Sequence, residues 1–277
     1  MLKDAEAGRT RGYPEGHTQS LCFLGSERNS RDSPSVHPYA FQGKIISKGC
    51  FLVLLSQRLL VLAEMIIKGE ATADIGADHG ALARFLVEKQ LAPWVIASEL
   101  GDGPYLRLRA GLKDSEQVEV RQGNGLTVLK PGEVVNVVIA GLGGEAMVEI
   151  LSRDWQEAAS FKRFVFQPMS RPGPLRRELS QKGWPILEER LVEENGRLFV
   201  AISSSPGYNP YRLSALEIDM GPLLLQSKNI LRTRYLKFYL RKYRQAYAGL
   251  LKAGTIPNVP LLDEYRSKIK ELEAILK

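Results

Sequence analysis

Strand-like and helix-like segments alternate along the chain from residue 71 to residue 182, and this alternation constrains the fold more than any other feature. Short apolar runs typical of buried strands are followed by runs whose apolar residues recur at helical spacing. Such alternation predicts a parallel, doubly wound α/β sheet. A further helix is predicted ahead of it, from a cap at Ser56 to Gly69. The predicted strands are 71–75, 95–98, 118–121, 134–140 and 163–166, and the predicted helices are 80–89, 104–112, 144–152 and 174–182.

The alternation ends in two consecutive strand-like runs, 186–192 and 198–202. The residues between them include Asn195-Gly196, and an Asn-Gly pair is a strong short-range signal of a β-hairpin turn. The sequence therefore predicts a parallel sheet that finishes in an antiparallel hairpin. That arrangement is the layout of class I methyltransferases, whereas a dinucleotide-binding half-fold does not require it.

Composition divides the chain into three predicted regions. Residues 1–50 are rich in Gly, Ser, Arg and Pro and lack apolar periodicity, which predicts a disordered leader. Their charges nearly cancel, which disfavours an RNA-binding tail. Residues 51–222 carry the α/β pattern of the predicted methyltransferase domain. In residues 223–277, apolar residues recur at alternating spacings of four and three, which predicts a coiled-coil-like helical hairpin at the C-terminus.

Basic charge is concentrated in the first helix of that predicted hairpin. The chain has a formal net charge of +7, and residues 226–252 contain eight Lys or Arg and no Asp or Glu. An acidic partner is therefore expected to meet this segment. The candidate contacts lie among aromatic residues and are Lys237, Arg241, Lys242 and Arg244.

The cysteines and the apolar runs indicate the setting in which the protein works. Cys22 and Cys50 both precede the first predicted core element, so neither a disulfide framework nor a metal site is expected. The apolar run at 50–55 is far shorter than the roughly 18 residues that a membrane span needs. We expect a cytoplasmic protein without metal or membrane partners, and a monomer by default.

The candidate chemistry begins where the first predicted strand ends, in Asp74-Ile75-Gly76-Ala77-Asp78-His79-Gly80. Gly76 allows a sharp turn and a close approach of the backbone to a ligand. Glu99 ends the second strand, where a carboxylate can accept both hydroxyls of a ribose, and Asp74 can pair with the amino group of a methionine moiety. Asp78 would repel a pyrophosphate, which favours a methyl donor over a dinucleotide. The alternative is an ordinary tight connection between strand and helix.

Two later loops are expected at the same edge of the sheet. Gly123-Asn124-Gly125 follows the third strand, where the Asn124 amide can read an adenine edge, although an ordinary turn explains these residues equally well. Ala140-Gly141-Leu142-Gly143-Gly144 follows the fourth strand, and its glycines leave space beside the methyl group. A site is favoured there over a simple bend, because the loop shares its strand edge with Asp74 and Glu99.

Residue types that are missing from the predicted core limit the reaction. Methylation at C5 of a pyrimidine requires a cysteine nucleophile, and the core has none. The Asp/Asn-Pro-Pro-aromatic signature that grips an exocyclic amine is also missing after the fourth strand. A ring nitrogen needs only alignment with the methyl group and stabilisation of the developing positive charge, which Asp78 could supply. His79 is the one histidine of the predicted core, and a role in the site competes evenly with a structural one.

Taken together, these segments resemble the bacterial tRNA (adenine-22, N1)-methyltransferases, a class I family with a coiled-coil-like C-terminal domain. The resemblance implies transfer of a methyl group from S-adenosylmethionine to N1 of an adenine in tRNA. It extends from about residue 54 to the end of the chain and rests on 55–59, 74–80, 99 with 102–104, 121–126, 139–144, 167–168, 175–176 and 221–224.

The resemblance also implies a role for individual residues. Asp78 and His79 would border the reacting centre as catalytic residues. Arg58 would bind RNA together with the hairpin cations Lys237, Arg241, Lys242 and Arg244. The implied cofactor-binding residues are Asp74, Gly76, Ala77, Glu99, Gly123, Asn124, Gly125, Ala140, Gly141 and Gly143.

The chain departs from the family pattern at a few positions, and two rival functions stay open. Residues 1–50 have no counterpart, Leu142 stands where methionine is common, and Gly80 stands where alanine is usual. Met169 replaces a frequent asparagine, which removes an amide that could bind the target base. The rivals are a small-molecule methyltransferase whose basic hairpin docks a partner, and an RNA-binding protein with a decayed cofactor pocket. The intact carboxylates of the predicted cofactor site argue against decay.

Overall fold

The computed structural model describes residues 55–252 and 259–277, so the predicted leader lies outside the described residues. The strands are β1 (Thr72–Ile75), β2 (Val95–Glu99), β3 (Val118–Gln122), β4 (Asn136–Ala140), β5 (Arg163–Gln167), β6 (Ile186–Glu194) and β7 (Arg197–Ser204). They form a seven-stranded sheet in the order β3-β2-β1-β4-β5-β7-β6. β1 to β5 are parallel, and β7 pairs antiparallel with both β5 and β6. The predicted α/β sheet with a terminal antiparallel hairpin is confirmed.

Helices pack on both faces of this sheet. Successive residues of β4 belong to different apolar clusters, with Val137 and Ile139 in one and Val138 in the other, so the strand is buried on both sides. The helices are α1 (Gln57–Met65), α2 (Ala81–Glu88), α3 (Asp102–Gly111), α4 (Gly144–Ser152), α5 (Trp155–Ala158), α6 (Pro172–Lys182), α7 (Ala215–Met220), α8 (Pro222–Gln226), α9 (Arg232–Lys252) and α10 (Val259–Ile275).

The helix α1 begins as predicted but ends before Gly69. The Ser56 side chain accepts a hydrogen bond from the amide of Leu59 and caps the helix. The helix ends at Met65 because Asn136 on β4 binds the backbone that follows. Its Oδ1 accepts the Ile67 amide at 2.8 Å, and its Nδ2 donates to the Ile67 carbonyl at 2.9 Å. A buried side chain from a distant strand therefore overrides the local helical pattern.

The turn between β6 and β7 is the one predicted from the Asn-Gly pair. Glu194 pairs with Arg197, which leaves Asn195 and Gly196 as a two-residue loop. Both have positive φ, +51° and +73°, as a type I′ hairpin turn requires.

The predicted C-terminal hairpin consists of α9 and α10. Leu236 and Tyr243 of α9 are buried, and the ring of Tyr243 meets that of Tyr265 on α10 edge to face, 5.9 Å between centroids. The same apolar cluster contains Leu224 of α8 and core residues of the sheet. The domain boundary predicted at residue 222 falls at the start of α8 and stays a prediction. In the part of the chain that is described, no helix has the length and apolar character needed to cross a membrane.

A buried ion pair joins the sheet to α7 and α8. The side chains of Arg176 on α6 and Glu189 on β6 are fully buried, and Arg176 Nε donates to Glu189 Oε1 at 2.7 Å. Nη1 of Arg176 also donates to the carbonyls of Ile218 and Asp219 in α7, at 3.1 and 3.0 Å. The second oxygen of Glu189 accepts the amide of Leu223 at the start of α8, at 3.0 Å. The pair therefore satisfies backbone groups at two helix ends, although Arg176 Nη2 is buried without a hydrogen-bond partner among the described residues.

Replacing Arg176 with methionine is expected to lower the free energy of unfolding by about 3 to 5 kcal/mol, because Glu189 would remain buried without a counter-charge. Urea unfolding followed by circular dichroism measures the loss. The control is Glu149→Gln, which breaks the exposed pair of Arg153 and Glu149 (2.9 Å) from its acidic side and should cost less than about 0.5 kcal/mol. Equal losses in the two variants would show that burial does not govern the contribution of the Arg176 pair.

Candidate functional site

The loop between β1 and α2 turns back at the carboxyl edge of the sheet. The amides of Gly76 and Ala77 both donate to the carbonyl of Ser98 on β2, at 2.9 and 3.0 Å. Gly76 has a φ of +77°, and a Cβ built on it would meet no atom within 4 Å. The sharp turn predicted at Gly76 is present, with open space beside it.

Glu99 connects the loops that follow β1 and β3. Its Oε1 accepts the backbone amide of Asp78 at 2.7 Å, and its carbonyl accepts the amide of Gly123 at 3.0 Å. Both loops are therefore held by the end of β2. Among the described residues, no donor contacts the other carboxylate oxygen of Glu99.

Asp74 is a buried carboxyl group on β1. Only 4% of the residue is exposed, and no described residue donates a hydrogen bond to its side chain. Burial first, and then the negative charge of Glu99, raises the pKa of Asp74 from 3.8 to about 7. A buried carboxyl near a second carboxylate suits a positively charged group, because such a group would restore the ionised form of Asp74.

Asp78 and His79 lie at the tip of the same loop and face outward. Their side chains are 72% and 68% exposed, and His79 Nε2 lies 3.5 Å from Asp78 Oδ1. Asp78 has a φ of +53°, a left-handed conformation that aspartate adopts more readily than most residues. Within the described ranges, no group of three or more His, Cys, Asp or Glu is arranged to hold a metal ion.

Asn124 makes a contact that the sequence did not predict. With its oxygen turned toward α4, the Asn124 amide accepts hydrogen bonds from Arg153 Nη1 and Nη2 at 3.0 and 3.2 Å. Gly125, the next residue, is buried and begins a short 3-10 helix with a φ of +60°. A role for Asn124 in binding the adenine ring stays a prediction. In that role, Asn124 would either donate from Nδ2 to the adenine or break its hydrogen bonds with Arg153.

The loop after β4 provides a second region of open space. It begins at Ala140, the last residue of β4, and continues into Gly141, which has a φ of +79°. A Cβ on Gly141 would meet nothing within 4 Å. The amide of Gly141 donates to the carbonyl of Gln167 at the end of β5, 3.2 Å away.

The remaining glycines of that loop allow it to touch the loop after β5. Gly143 pairs with Ser170 in an isolated parallel bridge, and the amide of Gly144 donates to the carbonyl of Ser170 at 2.9 Å. A Cβ on Gly144 would collide with the carbonyl of Arg171. These glycines therefore meet a packing requirement in addition to any role in the site.

Arg58 is bound within the protein. Its Nε donates to Glu194 Oε2 at 2.6 Å and its Nη1 donates to Gln167 Oε1 at 2.9 Å. The guanidinium carbon lies 4.8 Å from the centroid of the Phe199 ring. An RNA phosphate would have to share Arg58 with Glu194, so the predicted role in RNA binding stays a prediction.

The four predicted RNA-binding cations of α9 are all exposed, and the structure divides them between two faces of the helix. Lys237, Arg241 and Arg244 line a groove of about 880 Å³ between α9 and α10, where Arg244 pairs with Glu273 at 2.6 Å. Lys242 lines a different cleft, between α9 and the start of α6.

Three further cations of that cleft were not predicted as site residues: Lys268 of α10, and Arg171 and Arg177 at the start of α6. No periodic or motif signal marks the two arginines, since they lie at the start of an ordinary amphipathic helix. Their nearness to Lys242 depends on how α9 packs against α6, which local sequence does not reveal.

Asp74→Asn is expected to stabilise the protein more at pH 7 than at pH 4. Because the pKa of Asp74 is higher in the folded protein than in the unfolded chain, the wild-type protein loses stability as pH rises from about 4 to about 7. The variant lacks this loss, so its advantage should grow by on the order of 3 kcal/mol across that range. Denaturant unfolding at the two pH values measures it, with the exposed Asp114→Asn as control. A pH-independent difference between Asp74→Asn and the wild type would contradict the assignment.

Comparison with known proteins agrees with this geometry. A family model described as a methyltransferase domain matches residues 55–202. The chain is 30% identical over 226 residues to the tRNA (adenine(22)-N(1))-methyltransferase of Bacillus subtilis (strain 168), covering 79% of this chain and 92% of that protein. The crystal structure of the B. subtilis m1A22 tRNA methyltransferase has a TM-score of 0.74 and 28% identity, over 81% of this chain and 100% of that one.

A third relative is a putative tRNA (m1A22) methyltransferase of Streptococcus pneumoniae, solved in complex with S-adenosyl-L-methionine. It has a TM-score of 0.71 and 26% identity, over 81% of this chain and 100% of that one. The family model covers more than half of the chain, and the B. subtilis relative is matched over nearly all of its length. The chain therefore belongs to the tRNA (adenine(22)-N(1))-methyltransferase family of class I methyltransferases.

Proposed function

We propose that this protein transfers the methyl group of S-adenosylmethionine to N1 of adenine 22 in tRNA. The observation that supports this most is the extent of the similarity, which covers 92% of the B. subtilis tRNA (adenine(22)-N(1))-methyltransferase. The match with the general methyltransferase model ends at residue 202, so the similarity to that enzyme continues beyond the part shared by methyltransferases at large. As part of the same proposal, the protein acts as a monomer in the cytoplasm.

The predicted cofactor site fits S-adenosylmethionine. The Asp74 carboxyl, which is buried and accepts no hydrogen bond from a described residue, suits the charged amino group of the methionine moiety. The oxygen of Glu99 that has no partner among the described residues can accept hydrogen bonds from the ribose. Open space beside Gly76 and beside Gly141 leaves room for a ligand next to these two loops. Bound there, S-adenosylmethionine supplies an electrophilic methyl group.

The remaining task of the chain is to position the base and to offset its charge. N1 of adenine attacks through its own lone pair, so no proton has to be removed first. The base becomes positively charged as the new bond forms, and a carboxylate near the site stabilises that charge. We assign this role to Asp78, with His79 beside it, because the amide of Asp78 is bound to Glu99 and its side chain faces outward.

The decisive test is methyl transfer from labelled S-adenosylmethionine to total tRNA, followed by mass spectrometry of the nucleosides. The expected product is 1-methyladenosine, mapped to position 22 by digestion of a purified tRNA. Label transferred only to small molecules would favour a small-molecule methyltransferase. Binding of tRNA without transfer would favour an RNA-binding protein with a decayed pocket.

Glu99→Ala is expected to weaken S-adenosylmethionine binding by on the order of 1.5 to 3 kcal/mol, because charge-assisted hydrogen bonds to the ribose are lost. This corresponds to roughly 10- to 150-fold in Kd by calorimetry. Glu116→Ala, an exposed carboxylate ahead of β3, is the control and should bind normally. Affinity unchanged by Glu99→Ala would remove Glu99 from the cofactor site.

Asp78→Asn is expected to lower turnover far more than cofactor affinity, on the order of tenfold to a hundredfold in kcat. The substitution removes the charge but keeps the backbone amide that Glu99 binds. Single-turnover methylation and calorimetry on the same preparation separate the two effects. A parallel fall in both quantities would make Asp78 a cofactor ligand instead.

Replacing Arg241 and Arg244 with glutamine is expected to weaken tRNA binding and to leave S-adenosylmethionine affinity unchanged. Phosphate contacts release counterions, so each lost contact should flatten the dependence of log affinity on log salt by somewhat under one unit. Arg244 must give up its pair with Glu273 to bind a phosphate, so the loss of Arg241 should account for more of the fall in tRNA affinity. Retention of the wild-type salt dependence would place RNA recognition outside this groove. The matched control is Lys68→Gln with Lys89→Gln, two exposed cations at the amino edge of the sheet.

A further inference from the structure

A cleft of about 280 Å³ separates the start of α6 from α9 and α10. Arg171 and Arg177 line it from the side of α6, Tyr239 and Lys242 from α9, and Lys268 from α10. One end of the cleft adjoins the candidate active site, because Ser170, immediately before Arg171, pairs with Gly143 in the loop after β4. The cleft therefore lies between the carboxyl edge of the sheet, where the candidate site is, and the helical hairpin of α9 and α10.

Two of the cations in this cleft have no acidic partner among the described residues. Arg177 and Lys242 are exposed and form no ion pair there, and Lys242 lies 5.9 Å from the centroid of the Tyr239 ring. Both side chains can therefore reach a ligand without breaking an ion pair among the described residues.

The other charges of the cleft are largely neutralised. Lys268 binds Asp219 at 2.9 Å and Glu264 at 2.6 Å, and Tyr243 donates its hydroxyl to Asp219 at 2.6 Å. Arg171 pairs with the exposed Glu145 on the rim at 2.8 Å. Among the described residues that line the cleft, Asp219 is the one carboxylate, and a cation and a hydroxyl already bind it, so the charge that faces a ligand is positive.

We propose that this cleft binds a backbone phosphate of the RNA substrate, held by Arg177 and Lys242 and placed next to the nucleotide that is methylated. The inference rests on the proposed function. A phosphate suits the site because it is compact and can be met by a guanidinium and an ammonium from opposite walls. The groove between α9 and α10 is less suited to a phosphate, because Arg244 there already pairs with Glu273.

The test is the double variant Arg177→Gln with Lys242→Gln, with purified tRNA as the probe. We expect affinity at 0.15 M salt to fall about 10- to 30-fold and, because one phosphate contact is lost, the slope of log affinity against log salt to flatten by about 0.7 to 0.9. The KM for tRNA should rise while turnover at saturating tRNA is kept, and S-adenosylmethionine affinity and Tm should not change. The variant Arg177→Lys with Lys242→Arg keeps both charges and should restore tRNA binding.

The control is again Lys68→Gln with Lys89→Gln, which removes the same charge far from the cleft. A cleft variant that behaves like this control, in a protein whose wild type methylates tRNA, would overturn the phosphate site and leave the proposed function intact. A wild-type protein that neither binds nor methylates tRNA would overturn both.

Discussion

Arg176 and Glu189 carry opposite charges in a place that water does not reach, and neither can be removed alone without a large cost in free energy. Because the same two side chains bind the carbonyls near the end of α7 and an amide at the start of α8, they determine where the chain leaves the sheet. The position of the hairpin relative to the sheet therefore depends on this ion pair together with the apolar cluster that α8, α9 and α10 share with the sheet.

The sheet and its loops could be predicted from the sequence because their signals are local. Strand and helix patterns repeat with their own periods, and parallel strands bring Asp74, Glu99 and the glycine loop to one edge. The end of α1 could not be predicted, because Asn136 acts on Ile67 from 69 residues away. The contact of Asn124 with Arg153 and the two faces of α9 also depend on packing between elements, which residue patterns do not encode.

The same buried carboxyl that lowers stability prepares the protein for a cationic ligand. With no counter-charge among the described residues, Asp74 is held in an environment that favours its protonated form, and the folded state is less stable at neutral pH than it would be with a neutral side chain. A ligand that brings a positive charge relieves this strain as it binds. Functional sites often combine local instability with affinity in this way.

The close contact of Gly144 with Arg171 has a geometric consequence for how RNA is read. The backbones of the two loops touch so closely that even a methyl group cannot be inserted between them. The loop after β4, which borders the candidate site, and Arg171, which lines the cleft, are therefore a fixed distance apart. Under the proposal of a phosphate bound in the cleft, that phosphate would lie at a set distance from the reacting centre, and the spacing of phosphates along the RNA would contribute to the choice of adenine.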